Sequence, residues 1–264
     1  IVGIYGILQP IADGVKLVLK EEIIPQQTKG WGFIIGPIIT LTLGLIIWIP
    51  IPFNIKGMIT ENEYSILYIL VISSLSVYIL LFSGWSSNSK YSFIGAIRSI
   101  AQLVAYEVSI GLIIMGVIII NNSLNLVTIM YNQIYISNYR ILLPLMIAFI
   151  ISAIAETNRP PFDLPEAESE LIAGWLVEYG GFIFAAIYLA EYTFIQAFSV
   201  IISILFIGTC NPLIVCIIIF IFIWIRATLP RIKYNNLMQL GWVKILPFTI
   251  SYIILEISLI LLLN

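Results

Sequence analysis

Seven apolar stretches constrain this chain more than any other feature, near residues 34–53, 64–83, 99–120, 139–157, 175–207, 213–229 and 243–263. Crossing a bilayer core as a helix takes about 20 residues, within a range of about 17–25. Backbone N–H and C=O groups in lipid must be satisfied internally, so such stretches read as helices. Composition agrees: 61% of the 264 residues are hydrophobic and 10% are charged, against about 25% charged in soluble domains. The chain reads as an all-α polytopic membrane protein. It forms a single membrane domain over 1–264, with seven transmembrane helices bundled within 34–263.

Residues 4–20 read as an amphipathic interfacial helix. Gln9, Asp13, Lys16 and Lys20 form a polar stripe, and Ile7, Leu8, Ile11, Val15 and Val18 form the opposite face. A bundle-capping helix without chemistry is the alternative. With seven spans, the loops 1–33, 84–98, 158–174 and 226–244 share one side and hold ten of the 12 Lys and Arg residues. Lys56 and Arg140 are alone on the other side. This asymmetry places the amino end and the loop 158–174 in the cytoplasm or matrix.

Several chemistries are excluded. Net charge is −2, with 12 basic and 14 acidic residues, so no nucleic acid partner is expected. Histidine is absent, and the two cysteines, Cys210 and Cys216, are too few to hold an iron–sulfur cluster. No phosphate-cradling glycine loop is present. No flavin, iron–sulfur cluster or metal is therefore expected in this chain, and any redox cofactor belongs to a partner.

The polar exception is the loop 158–174. Together with the end of the preceding span it carries Glu156, Asp163, Glu166, Glu168 and Glu170, with one base, Arg159, among them. Pro160 and Pro161 lack a backbone N–H and end the preceding helix near Asn158. Asp163 is placed to cap a new helix, with Pro165 and Glu166 in its first turn.

Acids also lie within the spans: Glu107, Glu178, Glu191 and Glu256. A charge at a helix centre costs about 2.5–3.5 kcal/mol on insertion scales. Such groups either exchange protons along a path or are tied to a structural partner. The fifth stretch, 175–207, would reach ~50 Å at ~1.5 Å per residue, so a bend is expected at Gly180-Gly181, with a π-bulge there or further along. Without one, Glu178 and Glu191 lie about 140° apart around the helix.

The run Glu-Thr-Asn-Arg-Pro-Pro-Phe-Asp-Leu-Pro-Glu-Ala-Glu-Ser-Glu-Leu at 156–171 carries a resemblance. So do Tyr5–Lys16, Gly84–Tyr91, Arg98–Glu107 and Arg226–Tyr234, in the same order along the chain. Together they resemble the quinone-site membrane subunit of respiratory complex I (NADH:ubiquinone oxidoreductase). The resemblance implies ubiquinone as substrate and the other membrane and peripheral-arm subunits as partners, beside membrane lipid. It implies the mitochondrial inner membrane or a bacterial plasma membrane as location. It assigns Glu107, Glu156, Glu178 and Glu191 to a proton path. The quinone-chamber loop and its partners would be Arg98, Arg159, Phe162, Asp163, Glu166, Glu168, Glu170 and Arg226. Phe182 and Phe184 are further candidates for an aromatic wall. The family begins with one more transmembrane helix, so a separate chain supplying it is expected. Where the family has Tyr-Asp, this sequence has Tyr234-Asn235. The alternatives are a related subunit of a membrane-bound hydrogenase and a structural anchor for the peripheral arm.

Overall fold

The computed structural model describes residues 2–53, 62–134, 137–163 and 174–263, so Glu166, Glu168 and Glu170 lie outside the described residues. All regular structure among the described residues is helical. A short 3-10 turn, Ile4–Gly6, precedes α1, Gln9–Leu19. Pro10 sits in the first turn of α1, where its missing N–H costs nothing. Gln9 donates to the Asp13 carboxylate at 3.0 Å along the polar stripe. On the apolar side Ile11 and Val18 are 64% and 61% exposed.

The bundle follows as α2 Gly30–Ile46, α3 Ser65–Ser86, α4 Lys90–Asn121, α5 Leu126–Asn132 and α6 Tyr139–Glu156. A 3-10 turn at Gly174–Leu176 leads to α7, Gly181–Ile202, which widens into a π turn at Ser203–Ile207. Then come α8 Pro212–Thr228 and α9 Tyr234–Gln239, a second π turn at Leu240–Ile245, and α10 Leu246–Leu263. Among the described residues five helices are long and apolar enough to cross a membrane: Ser65–Ser86, Lys90–Asn121, Tyr139–Glu156, Gly181–Ile207 and Tyr234–Leu262. Gly30–Ile46 and Pro212–Thr228 are shorter apolar helices of 17 residues.

The fifth apolar stretch is not one bent helix. Gly180 is extended and Gly181 sits at φ +60, a conformation that Cβ-bearing residues avoid, so the helix starts at this pair. Glu178 consequently lies before α7, and helical phase does not relate it to Glu191. A π turn falls further along, at Ser203–Ile207, past Glu191, so it does not bring Glu178 and Glu191 onto one face. Gln133 donates to the carbonyls of Ile204 and Leu205 at 3.0 and 3.2 Å, and Asn138 donates to Leu205 O at 2.9 Å. Carbonyls near the widened turn thus find partners from another part of the chain.

Small residues let the helices approach. A Cβ on Gly36 of α2 would come within 2.9 Å of the Ser83 Cβ on α3, and Gly84 of α3 faces Ala96 of α4 in the same way. Serine hydroxyls inside the bundle bond back to their own helices, as Ser83 does to Leu80 O at 2.8 Å. The main core joins α4, α6, α7 and the last helix around Tyr106, Phe149 and Phe206.

A smaller core locks the 3-10 turn against α2, α3 and α4 through Phe33, Val77, Leu80, Ala96, Trp175 and Tyr179. Tyr179 stacks on Phe33 with centroids 4.2 Å apart and donates to Ser83 O at 3.0 Å. Burial pushes its phenol up to about 12, partly offset by hydrogen bonds with Ser86 and Ser83, so it stays a neutral donor at physiological pH. Gly95 is what lets this turn dock. A Cβ there would lie 2.8 Å from Trp175 N and 3.0 Å from Gly174 C. Because those are backbone atoms, Gly95→Ala is expected to destabilise the bundle by about 1–3 kcal/mol. Thermal denaturation in detergent would detect this as a lowered Tm, and an unchanged Tm would mean that the turn yields without cost.

Candidate functional site

The root of the acidic loop is where the bundle's polar groups converge. α6 ends at Glu156, and Asn158 turns the chain at φ +52. Asparagine tolerates that conformation better than most residues. The Phe162 amide closes the reversal on Arg159 O at 2.8 Å, and Ile232 N donates to Pro161 O at 3.1 Å. The Phe162 ring lies 5.9 Å from Tyr106 of α4. Tyr106 in turn donates to Leu237 O in α9 at 3.1 Å.

Two ion pairs fix this root. Arg159 reaches Glu191 of α7 at 2.9 Å, with side chains 9% and 14% exposed. Its guanidinium also lies 4.6 Å from the Tyr192 ring centroid and 5.6 Å from that of Tyr188. Arg231 reaches Asp163 at 2.8 Å, with side chains 37% and 7% exposed. Arg231 was not singled out from the sequence. Its signals there are a charge just past Pro230, after an apolar helix, and a place inside the Arg226–Tyr234 stretch.

Glu156 is buried at the end of α6, and its Oε2 has no hydrogen-bond donor. Glu107, half-buried on α4, is its electrostatic neighbour. A cavity of about 60 Å³ reaches Glu156 and Glu191 together, walled by Thr40, Ser76, Leu103, Trp175 and Phe194. That space is large enough for water. A second cavity of about 230 Å³ opens between α6, α7 and α8. It is lined by Arg159, Arg226, Gln196 and Tyr192 on its polar side, and by Ile154, Ile195, Ile219, Phe222 and Ile223 on its apolar side. Arg159 lines the second cavity and Glu191 the first, so their ion pair forms part of the wall between them.

The other candidates stand apart from this pair of cavities. Glu178 is half-buried in the turn before α7. Arg98 lies with its guanidinium 6.0 Å from the Tyr234 ring. Phe182 is 46% exposed, and Phe184 packs edge-on against Tyr188 at 4.7 Å. Asn235 is exposed on α9. Glu256 is buried on α10 in the recess opposite Gly116, with both carboxylate oxygens lacking a donor. Among the described residues no group of three or more Cys, Asp or Glu side chains is arranged to hold a metal ion.

The sequence pattern of the NADH dehydrogenase family matches residues 1–257. The chain belongs to the NADH dehydrogenase family. Curated members resemble it over nearly its whole length. The H-type subunit of the NADH-quinone oxidoreductase of Rickettsia prowazekii is 47% identical over 98% of this chain and 82% of its own. The NADH-ubiquinone oxidoreductase chain 1 of Hyaloraphidium curvatum is 42% identical over 97% of this chain and 85% of its own. The chain 1 protein of Cyanidium caldarium is 46% identical over 99% of this chain and 81% of its own. At such identity and coverage the fold is shared across the family, and the acidic loop root belongs to the matched region.

Proposed function

We propose that this chain is the quinone-side membrane component of a proton-translocating NADH:quinone oxidoreductase, in the mitochondrial inner membrane or a bacterial plasma membrane. Its seven apolar helices cross the bilayer and α1 lies in the interface. The membrane and peripheral-arm subunits of the same complex are its partners, and electrons reach the quinone from a partner's redox centre. The observation that carries the reading is the pair of cavities meeting at the Arg159–Glu191 ion pair. The second cavity has the chemistry of a quinone site. Arg159 and Arg226 offer donors to head-group carbonyls, and the apolar walls suit an isoprenoid tail. The first cavity has the chemistry of a proton path, with Glu156 and Glu191 at a space large enough for water and Glu107 beside Glu156.

A change of charge or proton content on the quinone side is felt by Arg159, which shares its field with Glu191. The carboxylates beyond then adjust their protonation as a coupled set. Glu178, and the loop acids Glu166, Glu168 and Glu170, are assigned to the same path and chamber. Vesicles containing the intact complex test this through NADH-driven quinone reduction and acidification measured together. Glu156→Gln is expected to cut the protons moved per electron pair. Unchanged stoichiometry and turnover would remove Glu156 from the path. Hydrogen evolution in place of quinone reduction would assign the chain to a hydrogenase instead.

A further inference from the structure

We propose that Gln102 is a positioning residue, clamping the root of the acidic loop to α4 so that Arg159 meets Glu191 and Glu156 meets its cavity. The inference deepens the function proposed above and rests on it. Gln102 is wholly buried in the middle of α4, among apolar neighbours. Its amide nitrogen donates to Ala155 O at 2.8 Å and to Phe162 O at 2.8 Å, with Asn158 Oδ1 at 3.4 Å. Ala155 lies in the last turn of α6, where its carbonyl also accepts from Asn158 N at 3.3 Å in place of a regular helical partner. Phe162 lies beyond the reversal. One carboxamide therefore joins the chain on both sides of the turn, and Glu156 and Arg159 lie between the two joined points.

The direction of the carboxamide follows from its neighbours. Only acceptors surround the nitrogen, so the nitrogen must be the end that faces them. The cost appears at the other end, where Gln102 Oε1 is buried without any donor. An aliphatic side chain of similar size would avoid that orphaned acceptor. It would also surrender both carbonyl contacts, and those contacts set the loop root. The Asp163–Arg231 pair, the Phe162–Tyr106 ring contact and the Ile232–Pro161 hydrogen bond also hold the root, and all three lie on the far side of Arg159 from α6. Gln102 alone among these also grips the α6 end.

Two substitutions in the assembled complex separate clamping from mere filling of space. Gln102→Leu keeps the bulk and removes both donors. It is expected to lower quinone reduction by about tenfold or more, as small misplacements near reacting groups do. Gln102→Glu keeps the shape but donates only when protonated, since an ionised carboxylate would face two carbonyl oxygens. Its activity is expected to rise as pH is lowered from alkaline to mildly acidic, on a limb absent from the parent. The charged groups on the surrounding elements are Lys90, Arg98 and Glu107 on α4, Arg140 and Glu156 on α6, Arg159 and Asp163 in the loop root with their partners Glu191 and Arg231, Lys244 in the π turn before α10, and Glu256 on α10. They are common to parent and variant, so a new limb belongs to position 102.

Hydrogen exchange gives a readout that does not require turnover. In Gln102→Leu the Phe162 amide is expected to exchange about tenfold faster or more, because its turn opens more often. Parent-like exchange in Gln102→Leu, or a parent-like pH profile with full activity in Gln102→Glu, would overturn the clamp. Glu191→Gln measured alongside separates the two readings. If it leaves turnover and pumping intact, the proposed function fails, whereas the exchange result still decides the clamp.

Discussion

Glu191→Gln is expected to reduce both NADH-driven quinone reduction and proton translocation by about a hundredfold or more in vesicles containing the intact complex. The substitution is nearly isosteric, so the cavity it lines keeps its shape. What changes is the charge and the ability to bind a proton. Glu191 is the side chain that touches both compartments, lining one cavity while holding the guanidinium that lines the other. A glutamine there neither balances Arg159 nor exchanges a proton with the water-sized space beside Glu156. Dye-detected acidification and quinone reduction on the same preparation read the two losses. Retention of both would show that the pair is a structural tie alone.

Arg159→Leu is expected to destabilise the protein by about 3–5 kcal/mol, because it takes the guanidinium away from a largely buried carboxylate. The partner is Glu191, 2.9 Å away, and only 14% of its side chain is exposed. Solvent screening therefore offsets little of the loss. The double variant Arg159→Leu/Glu191→Leu is expected to recover most of the stability, since two apolar side chains leave no charge unbalanced. Its quinone reduction is expected to stay low. Denaturation of the three variants, set beside their turnover, separates what the pair does for folding from what it does for chemistry. A single variant as stable as the parent would mean that Glu191 finds compensation elsewhere.

The helices were legible in the sequence because lipid leaves the backbone few options, and apolar length alone announces them. The carboxylates were legible too, since Glu107 and Glu191 stand out from aliphatic surroundings. What was not legible is who meets whom. Arg159 sits in sequence among the loop acids, yet its described ion partner is Glu191, across the break before α7. That pairing depends on the chain reversal at Asn158 and on where α7 begins. Gly180-Gly181 carried a signal that was read as a bend and proved to be a start. The run Ser-Ile-Leu-Phe-Ile at 203–207 looks like ordinary helix, because its wide turn is sustained by Gln133 and Asn138 from elsewhere in the chain. Gln102 is an amide in an apolar helix, and its meaning lies in two carbonyls more than fifty residues away.

The wide turn at the end of α7 bears on how this protein tolerates change in its length. It accommodates about one residue more than a regular helical turn, as an inserted residue does. Deleting one residue between Ser203 and Ile207 would let the turn relax into ordinary α geometry with the flanking segments close to their present phase, whereas deleting one from the regular helix between Glu191 and Ser203 would rotate the flanks by about 100° relative to each other. Glu191 and the Gln133–Asn138 clasp could then no longer both keep their places. Length variants in that regular stretch are therefore expected to be read out at the ion pair, while the wide turn itself absorbs the loss of a residue.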